Sequence, residues 1–484
     1  MPQRPIIIWF RNDLRLHDHA ALAAASTAGA SVVPVFILDD AAAGQWLRGG
    51  ASRWWLHYSL VSLANDIRDH GGTLLLRQGD TTQHLIDLVN EVGAGGVYFS
   101  RAYEPWAVRL EQRVKDDLER AGVPVRRFAN VLLREPEDVR TKSGEPFRVY
   151  TPFWRALCAL GPPNLANPPV GLPKFFAGKA RCDDLASLDL LPKRPDWAGG
   201  LRATWQPGET GARTRLKAFL TDKLRTYAQD RNFPDRAGTS HLSPHLHFGE
   251  INPRRVWFEA ARAASRDPRL DGGLETFLKE LVWRDFSYHL LFHWPDLPER
   301  AFRPEFETFP WAKNAGALDA WQRGATGYPI VDAGMRELWH TGYMHNRVRM
   351  IVASFLVKHL LIPWQQGEAW FWDTLVDADL ANNAASWQWV AGSGADAAPY
   401  FRIFNPVVQG EKFDPDGDYV RRWVPEIRNL PGRAIHAPWL LSTDVLSAAG
   451  VTLGSTYPLA IVDHAAARAR ALGAFQSLKA RVSS

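Results

Sequence analysis

Cysteine is scarce in this chain: Cys158 and Cys182 are the only two in 484 residues. Two thiols cannot build a disulfide framework, and they cannot form a four-cysteine metal cluster. They read as reduced thiols with no special role. Long hydrophobic runs are missing too. The best stretch, Met350 to Val357, ends at Lys358, far short of the ~20 residues a membrane span needs. The opening Pro5-Ile6-Ile7-Ile8-Trp9-Phe10 is too short for a signal-peptide core and runs straight into charge. No internal repeat or low-complexity tract occurs. A cytoplasmic protein with no membrane role is expected. Excess charge is also slight: 57 Lys plus Arg face 52 Asp plus Glu, a net +5, which permits a nucleic-acid partner without demanding one.

What the chain does have is tryptophan. There are 21, and 13 of them follow residue 256, a density that packing alone strains to explain. Hydrophobic residues make up 46% and charged residues 23%, the balance of a soluble globular protein. The length exceeds one ordinary core, so two or three domains are expected.

Up to about residue 130, short apolar runs alternate with helical periodicity. The runs are Ile6–Phe10, Val32–Leu38, Thr73–Leu76, Val97–Ser100 and Val123–Phe128, with helices predicted over Ala51–Asp69, Thr82–Val92 and Trp106–Arg120. This pattern predicts a Rossmann-like α/β domain with a parallel sheet over residues 1–130. No G-x-G-x-x-G follows the first run; the polar Arg11-Asn12-Asp13-Leu14-Arg15 stands there instead. Residues 131–209 read as a linker, rich in Pro and Gly at Gly161-Pro162-Pro163 and Asn167-Pro168-Pro169. From 210 to 484 the sequence reads as a large all-helical domain, broken at Pro244, Pro253, Pro295, Pro329 and Pro363 and closing on a helix at Ala465–Arg481.

Three segments of the helical part interleave carboxylates, amides, guanidiniums and tryptophans where a buried helix is otherwise expected. They are Thr326–Ala333, Met344-His345-Asn346-Arg347-Val348-Arg349-Met350, and Asp377 to Trp389. Buried polar groups need partners, so this density points to a large polar ligand inside the fold. Asp379, Asn383 and Trp387 are spaced i, i+4, i+8 and share one helical face; so do Phe277, Glu280, Trp283 and Arg284. Thr239-Ser240-His241-Leu242-Ser243-Pro244 places hydroxyls ahead of a helix start, with Ser243 as N-cap and Pro244 as first helical residue. Such a start suits a pyrophosphate.

Over nearly its whole length the chain resembles the DNA photolyase and cryptochrome family. The resemblance implies noncovalent FAD in the helical domain. It gives the phosphate and ribityl contacts to Tyr227, Thr239, Ser240, His241, Leu242 and Ser243, with His241 standing where relatives commonly have Arg or Lys. It sets Asp377 and Asp379 against the adenosine and isoalloxazine portions and Asn383 beside flavin N5, and adds Phe277, Arg284, Asn346 and Arg349 to the cofactor site. Glu280 is implied to bond the thymine carbonyls of a lesion, Trp283 to stack on it, and Asn346, Met350 and Trp389 to complete its slot. Arg347 and Arg402, the latter in Pro399-Tyr400-Phe401-Arg402, resemble contacts to DNA phosphates; as plain residues they read equally well as exposed, solvated arginines. Trp387, Trp364 and Trp311 match the family's electron relay. Glu104 matches a glutamate that binds an antenna, methenyltetrahydrofolate ahead of 8-hydroxy-5-deazaflavin or none.

The expected function is light-driven repair of cyclobutane pyrimidine dimers in UV-damaged DNA, by electron transfer from excited reduced FAD to the flipped-out dimer. A blue-light receptor with the same FAD and relay is the alternative. Neither a metal nor an obligate protein partner is implied, and a monomer is expected.

Overall fold

A computed structural model describes residues 3–165, 171–397 and 401–483. Asn167-Pro168-Pro169 of the expected linker, and Pro399 and Tyr400 beside Arg402, lie outside them. The chain divides into two compact units. The first comprises residues 1–198, 205–225 and 240–295; the second comprises 199–204, 226–239 and 296–484. This division follows packing, whereas the boundaries at 130 and 209 follow secondary-structure content. Among the described residues no helix is long and apolar enough to cross a membrane.

The first unit holds one parallel five-stranded sheet: β1 (Ile6–Phe10), β2 (Val32–Leu38), β3 (Leu75–Gln78), β4 (Gly96–Ser100) and β5 (Val125–Phe128). Its order is β3-β2-β1-β4-β5, so each half winds outward from β1. Ile7 pairs with Val33 on one side and Val97 on the other. Strands β1, β2 and β4 are buried at every residue. Both sheet faces are covered, which is why these strands read as unbroken apolar runs. The edge strand β5 instead exposes Arg126 and Arg127, charges that guard a free edge.

Helices α1 (Ala20–Thr27), α2 (Gly50–Asp69), α3 (Thr81–Val92) and α4 (Pro105–Arg120) connect the strands. Asp80 starts α3 by accepting from Gln83 N at 2.9 Å, and Pro105 opens α4. Leu85, Leu88, Leu110 and Val114 of α3 and α4 pack with Ile7, Trp9, Val33 and Val35 of the sheet. The pentapeptide after β1 is a knot rather than a loop. Arg11 pairs with Glu111 at 2.7 Å, Asp13 with His19 at 2.9 Å, and buried Arg15 reaches Asn130 Oδ1 at 2.7 Å and the Gly249 carbonyl at 2.8 Å. The unit also contains α5 (Tyr150–Ala159) and the long α6 (Asp271–His293).

The second unit is helical. Its core is built from α7 (Pro329–Thr341), α8 (Asn346–Ser354), α9 (Trp364–Thr374) and α10 (Leu380–Ala391), and α11 (His464–Ser483) closes the chain. The expected proline breaks mark starts: Pro329 opens α7 and Pro363 caps α9.

Candidate active site

The candidate residues occur in both units. In the second, Asp379 is both the expected site residue and the N-cap of α10; its Oδ1 accepts from Asn382 N at 2.9 Å and Asn382 Nδ2 at 2.7 Å. One and two turns on, Asn383 and Trp387 lie on the same buried face. Asn383 Nδ2 donates to the Glu368 carbonyl of α9 at 3.0 Å. Trp387 is 2% exposed and packs directly on Gly367, where a Cβ would drive into the indole. Phe371 and Trp321 meet the Trp387 ring edge-on at 5.0 and 6.2 Å.

Glu368, whose backbone carbonyl takes the Asn383 bond, was not singled out in the sequence. It is 1% exposed, and its Oε1 has no hydrogen-bond partner among the described residues. Burial, with the charge of Glu299 adding to it, lifts its pKa well above the usual carboxylate range. Trp387 Nε1 is likewise buried without a partner. Polar atoms buried without protein partners among the described residues are satisfied when a polar ligand supplies the missing donor or acceptor.

The raised pKa has a consequence for stability. A carboxyl that holds its proton in the fold but loses it when unfolded favours the folded state fully only below its unfolded value. That stability drains as pH rises toward the folded pKa, at ~1.4 kcal/mol for each unit between the two values. Glu368→Gln keeps the shape and removes the proton. Its unfolding free energy, measured by urea titration at several pH values, is expected to fall less than wild type above about pH 5. Parallel curves for the two proteins would contradict a neutral buried Glu368.

At the start of α8, His345 caps the helix by accepting from Arg347 N at 3.2 Å, which leaves Asn346 exposed. Arg349 places Nη2 3.0 and 2.9 Å from the two Asp377 oxygens. Its Nε donates to the Met344 carbonyl at 2.7 Å, and its guanidinium lies 5.2 Å over Tyr343. Burial pulls the Arg349 pKa down, but Asp377 and Tyr343 more than offset this, so the group stays charged. Tyr343, pushed up to about 12 chiefly by burial, shares a hydrogen bond with Thr239. Tyr227 is buried with Arg231 5.5 Å over its ring.

Met350 and Trp389 are half-buried. Arg347 is not a freely solvated arginine: it donates to Asn232 Oδ1 at 2.7 Å and lies 4.4 Å over Phe413. Arg402 is exposed, 5.7 Å over Phe404. Trp364 and Trp387 are buried in one apolar cluster, and half-buried Trp311 packs against it. Trp321, which the sequence did not single out, joins the same cluster with Nε1 bonded to the Val352 carbonyl at 3.0 Å.

In the first unit, α6 carries the second face. Phe277 is buried against Phe219 at 4.5 Å, while Glu280, Trp283 and Arg284 are half-buried. Arg284 donates to the Val131 carbonyl at 2.8 Å and lies 4.9 Å over Tyr288. Next to it Asp285, pushed up to about 7 by burial, accepts from Leu133 N at 2.8 Å and Arg134 N at 3.1 Å. The hydroxyl turn differs from expectation. Leu242, not Ser243, is the N-cap; Ser243 begins the five-residue helix Ser243–His247, with no side-chain cap bond. The reason is the turn before it: His241 adopts φ +51°, and Ser240 Oγ accepts from Leu242 N at 3.3 Å. Leu242 is buried, and Trp205 lies 5.8 Å from the His241 ring.

Glu104 sits just before α4 and accepts from Tyr103 N at 3.2 Å. Burial lowers the pKa of Arg48, and the charge of Glu104 works against that shift. Arg48 in turn donates to Asn12 Oδ1 at 2.6 Å and lies 6.0 Å over Phe248. Asn12 and Glu104 follow the carboxyl ends of β1 and β4, where doubly wound sheets bind ligands.

Residues 6–170 match the family model described as DNA photolyase, and residues 277–477 the one described as the FAD binding domain of DNA photolyase. The chain is 52% identical over 478 residues to the deoxyribodipyrimidine photo-lyase of Agrobacterium fabrum, covering 98% of each. It is 40% identical to cryptochrome-1 of Arabidopsis thaliana, over 96% of this chain and 69% of that one. A bacterial class III photolyase crystal structure from Agrobacterium tumefaciens is similar with TM-score 0.94 at 51% identity, covering 99% of this chain and 98% of that one.

Proposed function

The chain belongs to the photolyase and cryptochrome family, and from that premise we infer that it is a deoxyribodipyrimidine photo-lyase acting on cyclobutane pyrimidine dimers in UV-damaged DNA. Reduced FAD, when bound, supplies light absorption and the electron that splits the dimer. The rest falls to the chain's own side chains. Asp377, Asp379 and Asn383 would hold the cofactor's adenosine and isoalloxazine portions, Thr239 to Ser243 and Tyr227 its phosphates and ribityl chain, with Arg284 and Arg349 as further contacts. Asn383 would offer the flavin ring an amide, which gives up no proton.

Glu280 bonds the thymine carbonyls, where negative charge develops, and so stabilises that charge as it forms. Trp283 stacks on the flipped lesion, Met350 and Trp389 wall its slot, and Asn346 offers an exposed amide to its edge. Arg402 meets DNA phosphate. Arg347 is the second contact to DNA phosphate, its guanidinium also donating to Asn232. One copy acts alone in the cytoplasm. Methenyltetrahydrofolate is the favoured antenna, bound by Glu104 beside Arg48; fluorescence of the chromophore released by acid distinguishes it from a deazaflavin or an empty site.

The observation that carries this reading is the buried Asp379–Asn383–Trp387 face of α10 in a chain 52% identical to a photolyase along its length. The test is repair of a dimer-containing oligonucleotide in blue light and in darkness. Product in light alone is expected; equal product in both, or none in either, moves the reading to a photoreceptor. Glu280→Ala is expected to lower repair yield and lesion affinity, the latter by the ~1.5–3 kcal/mol of a charged hydrogen bond, with FAD content unchanged. Repair of 6-4 photoproducts with cyclobutane dimers untouched would overturn the lesion assignment.

A further inference from the structure

We propose that Tyr150 is a positioning residue for the substrate: its ring backs one face of Trp283 and holds the indole in a single plane, so that only the opposite face receives the flipped base. This rests on the reading of Trp283 as the wall on which the lesion stacks.

The two rings are stacked with centroids 3.6 Å apart and planes 6° from parallel. Phe286 meets both edge-on, at 5.9 Å from Tyr150 and 5.8 Å from Trp283. Tyr150 is buried, whereas Trp283 is half-buried. The tyrosine is itself fixed at two points. It is the first residue of α5, and its hydroxyl donates to the Lys279 carbonyl at 2.7 Å. That carbonyl lies one helical turn before Trp283 on α6, so the bond and the stack pin Tyr150 to the same turn.

An indole that is half-exposed on a helix samples more than one rotamer, and a base stacking on it must select one. With one face and one edge occupied by buried aromatics, that selection is made before substrate arrives, and the ordering cost of binding falls. Because the ring of Tyr150 is already covered, it gains nothing from undamaged duplex, in which no base is flipped. The device therefore acts on lesion affinity alone.

The test measures Kd for an oligonucleotide with one cyclobutane dimer and for its undamaged counterpart, using the FAD-loaded full chain. Tyr150→Leu is expected to raise the lesion Kd about 3- to 10-fold, the range of an aromatic stack, with undamaged-DNA Kd, FAD content and photoreduction unchanged. Tyr150→Phe keeps the ring and is expected to restore the wild-type ratio of the two constants. In a Trp283→Ala background Tyr150→Leu should add nothing, because the ring it orients is gone. Where the Leu variant does not fold, Tyr150→Met fills the same space without a flat face. An unchanged lesion Kd, an equal loss for both DNAs, or a further loss in the Trp283→Ala background overturns the proposal. If Trp283→Ala itself leaves lesion binding intact, the stacking wall is wrong and the role of Tyr150 falls with it, a failure separable from the others by that single variant.

Discussion

Trp387→Phe is expected to bind FAD and to lose light-driven reduction of it in the presence of thiol. The indole is 2% exposed, flanked by Phe371 and Trp321 and seated on Gly367. A phenyl ring fits within the space the indole leaves, so α9 and α10 stay packed, at the 1–3 kcal/mol typical of a modest core vacancy. The indole Nε1 has no partner among the described residues, so no hydrogen bond within the protein is lost. What disappears is the accessible one-electron oxidation of indole, which phenylalanine does not share. Absorbance of the flavin under blue light reads the loss directly. Chemically prereduced variant should still repair dimers, since the relay restores the cofactor and takes no part in splitting. Undiminished photoreduction would remove Trp387 from the path.

The fold was legible where burial is two-sided and local. Strands β1 and β2 begin and end where their apolar runs do, because a strand covered on both faces writes itself as an unbroken apolar run. The face of α10 was legible for a similar reason: Asp379, Asn383 and Trp387 keep one helical period whatever surrounds them. Glu368 was not. A single glutamate on a helix ordinarily faces water, and only the packing of α9 on α10 takes this one out of it. Tyr150 was invisible because its partner lies on a helix far along the chain, and nothing in Tyr150-Thr151-Pro152-Phe153 names that partner. The cap at Leu242 was missed by one residue, since Ser-Pro is a strong start signal and a left-handed His241 is not written in composition. Sequence periodicity thus reported faces, and the contacts between distant faces had to come from the fold.

Arg349 and Asp377 offer the second large effect, because they separate holding the fold from holding the cofactor. Asp377 is buried, and both its oxygens face Arg349 Nη2 at 3.0 and 2.9 Å. Arg349→Ala leaves that carboxylate without its countercharge and the Met344 carbonyl without its donor, so a loss of about 3 kcal/mol is expected, with a lower Tm and less FAD in the purified protein. Arg349→Lys should fall between: one ammonium can serve both oxygens, as the single Nη2 does, but it cannot also reach Met344. The informative protein is the double variant Arg349→Met with Asp377→Leu. Replacing a buried ion pair by apolar groups of similar volume is often neutral, so Tm should return toward wild type. FAD content should not return with it, since Leu offers the adenosine portion no acceptor. Calorimetry alongside the flavin-to-protein absorbance ratio makes the comparison. Full recovery of both quantities would show that the pair only fastens α8 to the segment before α10, and Asp377 would leave the list of cofactor contacts.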